Sequence, residues 1–241
     1  MKNLKELNLN NKKYIIFDMD GTLIDSIGVW NTTDQKLVKL TTGKDIDIEI
    51  INYDRDLFLK THTSSDIYLE YCQYLIDKYK IDIDIQTLLD LRWQISGEIL
   101  IKEMDFKPYA VDVLKKFKER GCTLIIASAT TKRQIDIYSN KNEKMKNQLQ
   151  IDKFFDLIIT KEFVTKKKPD PEIYLNILKH FNAQPEECLV FEDSLIGVTA
   201  STTAGLETVI VYDKYADCDR SEIEKLGTYK IDSYKEFLKI M

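Results

Sequence analysis

Tyr14-Ile15-Ile16-Phe17-Asp18-Met19-Asp20-Gly21-Thr22 is the stretch whose reading decides the fold. Four apolar or aromatic residues in succession describe a buried strand. The chain then breaks into two carboxylates and a glycine, so the strand ends in a sharp turn, for which Gly21 supplies the conformational freedom. A carboxylate at a strand end is costly unless it is solvated, paired or metal-bound. Two carboxylates so close together repel unless a cation sits between them. An ionised Asp is also a nucleophile toward phosphorus, and a second carboxyl nearby can exchange protons with the attacking and leaving oxygens. The stretch therefore points to phosphoryl transfer.

Working outward, the sequence from Lys107 onward alternates short apolar runs with amphipathic stretches, the cadence of βαβ units on a parallel sheet. A helix beginning near Tyr109 places Val113, Leu114 and Phe117 on one face and stops at Gly121. Strands are expected at Thr123 to Ala127, Phe154 to Ile159, Cys188 to Phe191 and Thr208 to Tyr212. Between the second and third of these comes a basic loop and a helix opened by Asp170 as N-cap with Pro171 as its first residue. A further helix is expected from about Leu195 to Ala204, ending at Gly205. The polar, Lys/Asn-rich segment from Lys132 to Gln150 reads as an exposed helix or loop.

Residues 27–107 interrupt this cadence with long helical patterns, such as Ile67 to Tyr79 and Leu88 to Met104, and no series of strands. The expectation is a separate helical cap, inserted after the first strand of an α/β core made of residues 1–26 and 108–241. The isoleucine-rich stretches Asp45 to Ile51 and Lys80 to Ile85 read as helix-linking segments.

Ligands of open α/β sheets bind outside the carboxyl ends of the strands. The polar residues at those ends are Asp18 and Asp20, then Ser128, then Glu192 and Asp193, with Lys168 in the loop after the Phe154 strand. The carboxylates suit a hard cation such as Mg²⁺, which takes oxygen ligands and completes its shell with water and substrate phosphate. Ser128 and Lys168 would hold phosphoryl oxygens. Such a set matches charge neutralisation in phosphoryl transfer better than it matches acyl or hydride transfer.

Each residue alone has a plainer explanation. Asp20 reads equally as a turn former, and Lys168 ends a solvated Lys166-Lys167-Lys168 run. Ser128 reads as a helix cap with Thr130 and Thr131 as rivals, and Glu192-Asp193 as the acidic start of a helix. Their occurrence together, in order and each at a strand end, is what favours a site.

Asp18-x-Asp20-Gly-Thr, Ser128 after an apolar strand, Lys168-Pro169 and Glu192-Asp193-Ser194 resemble the four motifs of the haloacid dehalogenase superfamily. The resemblance covers the sheet-bearing part and is greatest to the branch with a helical cap after the first motif, which includes small-molecule phosphatases and the β-phosphoglucomutases. It implies a Rossmann-like, doubly wound parallel sheet with an all-helical cap. It implies Asp18 as the nucleophile that forms an aspartyl-phosphate and Asp20 as the general acid/base. Ser128 and Lys168 would bind the phosphoryl group. Mg²⁺ would be held by Asp18, the main-chain carbonyl of Asp20, and Asp193 with help from Glu192. A carboxylate at Asp20 favours phosphate substrates over halides, because the dehalogenase branch lacks one there.

The expected function is thus a Mg²⁺-dependent phosphatase of a small phosphorylated metabolite, a sugar phosphate or nucleotide. A phosphosugar mutase is the alternative, and a non-catalytic binding module of the same fold the third reading. Where the β-phosphoglucomutases carry a histidine beyond the first motif, an ungapped reading puts Trp30, which argues against a mutase. Trp30, Arg55 and Arg92 are candidates for substrate contact in the cap, although packing is the commoner use of such residues. The two histidines, His62 and His180, read as structural.

The rest of the composition excludes more than it assigns. With 241 residues and a formal net charge of −5, the chain offers no electrostatic reason to bind nucleic acid or an anionic membrane. Four scattered cysteines without a C-x-x-C pair argue against zinc and disulfide frameworks. No apolar run approaches spanning length and Met1 to Lys13 lacks a signal-peptide core, so a cytoplasmic monomer with a small-molecule partner is expected.

Overall fold

The structure is a computed structural model that describes residues 1–62 and 66–241, so residues 63–65 of the expected cap lie outside the described residues. Six parallel strands form one sheet in the order β3-β2-β1-β4-β5-β6. They are β1 (Tyr14–Phe17), β2 (Thr123–Ala127), β3 (Leu157–Ile159), β4 (Cys188–Glu192), β5 (Thr208–Val211) and β6 (Tyr229–Ile231). This is the doubly wound Rossmann order, whose crevice opens where the chain reverses its direction of travel across the sheet. Here that switch point lies between β1 and β4.

The chain divides into two compact units, Met1–Ile27 with Met104–Met241, and Gly28–Glu103. The second is wholly helical among its described residues: α1 (Val29–Thr42), α2 (Ile48–Thr61), α3 (Ile67–Tyr79) and α4 (Ile85–Lys102). Its core is built on Leu37, Val38, Ile51, Phe58, Leu75 and Leu88. The isoleucines before α2 are partly helical, not linking: Asp47 caps the helix by accepting from the Glu49 N–H at 2.9 Å, and burial of Ile51 outweighs the weak helix preference of β-branched residues.

In the first unit the helices are α5 (Ala110–Glu119), α6 (Lys132–Asp136), α7 (Glu143–Gln148), α8 (Ile151–Phe154), α9 (Glu172–Phe181), α10 (Leu195–Thr203), α11 (Arg220–Leu226) and α12 (Tyr234–Leu238). Val113, Leu114 and Phe117 of α5 are buried, and the Phe117 ring meets Phe17 edge-on at 6.4 Å. β1 and β4 are buried along nearly their whole length, as expected of strands covered by helices on both faces.

Four further expectations need correction. Residues 154–159 are not one strand: Phe154 closes α8 and β3 spans only Leu157–Ile159, with Asp156 at its entry donating its N–H to Leu124 O at 2.8 Å while its carboxylate takes the Leu124 N–H at 2.7 Å. β4 runs one residue further, to Glu192. At α9 it is Pro171 that occupies the cap position, while Asp170 accepts from the Glu172 N–H at 3.0 Å. Lys132 to Gln150 is not an exposed segment. It folds as α6, a π-type turn over Ile137–Lys141, and α7, with Tyr138, Ser139 and Met145 fully buried. Its lysines and asparagines lie largely on the outer side and mask an inner row of Ile135, Ile137, Tyr138, Met145 and Leu149.

Candidate active site

Parallel register assembles the site. Phe17 pairs with Ile126 on one side and with Phe191 on the other, so the next residue of β1, Asp18, comes level with Ala127 and Glu192. The Asp18 N–H continues the ladder to Phe191 O at 3.0 Å, and the Ser128 N–H continues it to Ile159 O at 2.9 Å. Asp18, Ser128, Lys168, Glu192 and Asp193 are all buried.

Lys168 is the hub. Its Nζ donates to Asp18 Oδ1 at 2.8 Å, to Ala127 O at 2.8 Å and to Glu192 Oε1 at 2.5 Å. Tyr174 of α9 donates its hydroxyl to the same Glu192 oxygen at 2.6 Å. Burial alone would lower the lysine's pKa, but the charges of Asp18 and Glu192 overcome that and hold it well above its ordinary value. Lys168 is therefore a fixed cation beside Asp18. Ser128 Oγ accepts from the Thr130 N–H at 3.2 Å, which leaves its own proton free to donate.

Asp193 accepts from Thr22 Oγ1 at 2.6 Å. The turn after Asp18 can pass this close only because residue 21 is glycine: φ is +85°, and a Cβ there would lie 2.3 Å from Asp193 Oδ2. Gly197 of α10 serves Glu192 in the same way, since a Cβ would lie 2.0 Å from Glu192 Oε2.

Asp18, Glu192 and Asp193 each offer a carboxylate oxygen, and these oxygens lie within 4.8 Å of one another. Burial first, and then the neighbouring carboxylates, push Asp193 well above its ordinary pKa. Burial likewise raises Asp18 to about 7, against the pull of Lys168. Glu192 Oε2 is buried without a hydrogen-bond partner. Three buried carboxylates face a single ammonium, an excess of negative charge that an oxygen-seeking divalent cation would neutralise. The residues present thus fit a metal ion.

The Asp20 side chain is not part of this acidic group. It turns the other way, into a set of neutral donors: Ser26 Oγ at 2.5 Å and Tyr138 OH at 2.8 Å from Oδ1, and Gln134 Nε2 at 3.1 Å. Burial raises its pKa, while the hydrogen bonds from Ser26 and Tyr138 work in the opposite direction. Burial and the charge of Asp20 also hold Tyr138 well above its ordinary value, so its hydroxyl stays a donor. Sequence reading missed Gln134, Tyr138 and Tyr174. The first two stand four residues apart on one helical face directly after the Ser128 motif, a spacing hidden in a Lys- and Asn-rich context.

The residues considered in the helical unit are engaged in packing. Arg92 forms a buried pair with Asp34 (Nε to Oδ1, 2.6 Å) and lies over the Trp30 ring at 4.8 Å. Arg55 Nη1 donates to Asn31 Oδ1 at 3.2 Å. His62 stacks on Phe58 at 3.9 Å; outside the helical unit, on α9, His180 meets Phe181 edge-on at 4.6 Å.

A doubly wound sheet with a buried acidic cluster and one buried lysine at its switch point defines a phosphoryl-transfer class of α/β hydrolase. The chain belongs to the haloacid dehalogenase-like hydrolase family, whose model matches residues 12–205. It is 27% identical over 195 residues to a phosphorylated carbohydrates phosphatase of Thermotoga maritima, covering 81% of this chain and 82% of that one. It is 26% identical over 239 residues to the glyceraldehyde 3-phosphate phosphatase of Pyrococcus furiosus, covering 95% and 92%. Among solved structures, CbbY of Rhodobacter sphaeroides in complex with phosphate shares the fold with a TM-score of 0.67 at 23% identity, over 92% of this chain and 95% of that one.

Proposed function

We propose that the chain is a Mg²⁺-dependent phosphatase of a small phosphorylated metabolite of the sugar-phosphate class, acting through an aspartyl-phosphate on Asp18. The observation that carries this reading is the division of labour between the two aspartates of the opening stretch. Asp18 sits with the lysine and the acidic group, whereas Asp20 sits apart among neutral donors. Names borne by the relatives, phosphatases of phosphorylated carbohydrates and of glyceraldehyde 3-phosphate, support the substrate class.

In this reading Lys168 and Ser128 bind and orient the phosphoryl oxygens beside Asp18. An Asp18 carboxylate oxygen attacks phosphorus, the ester P–O bond breaks, and Asp20 gives its proton to the departing oxygen. Asp20, now ionised, takes a proton from water as that water attacks the same phosphorus. The bond to Asp18 then breaks, and the carboxylate and inorganic phosphate are released. Mg²⁺ would be held by Asp18, Asp193, the main-chain carbonyl of Asp20 and, through its spare oxygen, Glu192. When bound it supplies positive charge against the phosphoryl oxygens and relieves repulsion among the carboxylates.

The test is phosphate release from a panel of sugar phosphates, triose phosphates and nucleotides with and without Mg²⁺, for wild type and Asp18→Asn. Turnover that needs Mg²⁺ and is lost in Asp18→Asn, with the fold retained, is expected. No phosphate release from any member of the panel would sink the reading.

A further inference from the structure

Beside the acidic cluster, neutral donors converge on Asp20, and two of them come from α6 and the π-type turn. Ser26 and Tyr138 both donate to Asp20 Oδ1, at 2.5 and 2.8 Å. Gln134 Nε2 lies 3.1 Å from Oδ1 and 3.3 Å from Oδ2, and 2.9 Å from the Tyr138 oxygen. We propose that Gln134 and Tyr138 are positioning residues that saturate Oδ1 and thereby assign proton transfer in the reaction to Asp20 Oδ2. The proposal rests on the reading of Asp20 as the general acid/base.

A carboxylate oxygen presents two lone pairs, and at Oδ1 two hydroxyl donors take them. A proton placed on Oδ1 would displace one of these donors, and at Tyr138 the displaced hydroxyl would be left buried without its acceptor, which is costly. Oδ2 receives the longer, 3.3 Å branch of a shared amide N–H, and the Thr130 side chain also reaches the carboxyl. The carboxylic acid form therefore carries its proton on Oδ2.

The direction of each donor is also fixed. Gln134 gives an N–H to the Tyr138 oxygen, so the tyrosine's own O–H is turned toward Asp20. Gln134 is itself anchored, because Thr131 caps α6 by accepting from the Gln134 N–H at 3.1 Å. In the first half-reaction the Oδ2 proton passes to the leaving oxygen as the ester P–O bond breaks. In the second, Oδ2 takes a proton from water as the P–O bond to Asp18 breaks. Gln134 and Tyr138 neither gain nor lose a proton in either step.

The test compares kcat/KM for a primary-alkyl phosphate and for p-nitrophenyl phosphate, since this ratio reports the steps through the first P–O cleavage. An alkoxide needs a proton to leave and a nitrophenolate does not. Tyr138→Phe should lower the alkyl value by about 10- to 100-fold, the scale on which misaimed acid catalysis is lost. The p-nitrophenyl value should change by less than about threefold, because that step draws on no acid. Gln134→Met, at a part-buried position, should show the same split more weakly, and it keeps the test decisive if Tyr138→Phe does not fold. A merely structural role would lower both substrates alike, and that result, or no effect on either, overturns the proposal. Asp20→Asn separates the two levels. If it shows the alkyl-selective loss and the Gln134 and Tyr138 variants do not, positioning alone is wrong, whereas if it shows none, the acid/base reading has failed and the proposal with it.

Discussion

Asp18 faces opposed demands: as the proposed nucleophile it would have to ionise, yet its place just past the end of β1 penalises the charge. Burial raises its pKa to about 7, Lys168 pulls down, and Glu192 and Asp20 add to the rise. In the unfolded chain the same carboxyl titrates near the usual value of about 3.9. Between these values the native state holds more protons than the unfolded state, so the stability linked to Asp18 is highest at low pH, falls as pH rises through the window, and levels off above about 7. Asp18→Asn has no carboxyl there to ionise. In metal-free buffer, the unfolding free energy of Asp18→Asn relative to wild type should therefore climb between about pH 4 and 7, at most about 1.4 kcal/mol per pH unit for one proton. Chemical denaturation of both proteins across that range measures it. A difference that stays flat or falls would mean that Lys168 keeps Asp18 ionised throughout.

At the scale of elements, the helical unit depends on a polar contact inside its apolar packing. Arg92 of α4 and Asp34 of α1 are 2% and 0% exposed, and the guanidinium also lies over Trp30 and Tyr71. Removing one member leaves the other charge buried without its counterpart, which in comparable cases costs about 3–5 kcal/mol. Arg92→Ala should therefore lower the denaturation midpoint strongly, while Arg92→Met with Asp34→Leu, which removes both charges and refills the site with apolar atoms, should recover much of the loss. A small effect of the single variant would show that water reaches Asp34.

The same scale shows where sequence reading worked and where it stopped. Val113, Leu114 and Phe117 lie on one face of a helix, and an unbroken apolar run such as Leu124 to Ala127 has no alternative to a buried strand, so both could be read directly. The edge strand β3 and the segment around Tyr138 could not. An edge strand pairs on one side only, with Asp156 at its entry adding a side-chain hydrogen bond, and the π-type turn shifts an inward row off any regular helical period. Asp20's surroundings were illegible for a different reason, since Gln134 and Tyr138 keep a four-residue helical spacing but stand in a Lys- and Asn-rich context that reads as a solvated face.

For the whole molecule, topology concentrates the chemistry. Six parallel strands direct their carboxyl ends the same way, so motifs scattered from Asp18 to Asp193 meet at one edge, which is why their order along the chain could stand in for their proximity. Asp18, Asp20, Ser128, Gln134, Tyr138, Lys168, Glu192 and Asp193 all belong to the unit formed by Met1–Ile27 and Met104–Met241. That unit also closes on itself where the helical segment leaves it: Ile24 bridges Phe106 in antiparallel fashion, the Asp25 N–H reaches Asp105 O at 3.3 Å, and the Lys107 N–H reaches Leu23 O at 2.8 Å. A chain in which residues 28–103 are replaced by a short Gly/Ser linker should therefore unfold cooperatively. If the acidic group holds Mg²⁺ as proposed, this chain and the full chain should both gain stability from it, by about 2.7 kcal/mol at a hundred times the dissociation constant. Thermal melts of both proteins across a Mg²⁺ series measure this. Loss of a cooperative transition would show that the sheet needs the helical unit in order to fold. A cooperative transition indifferent to Mg²⁺, beside a responsive full chain, would show that the cation site is completed from outside the sheet.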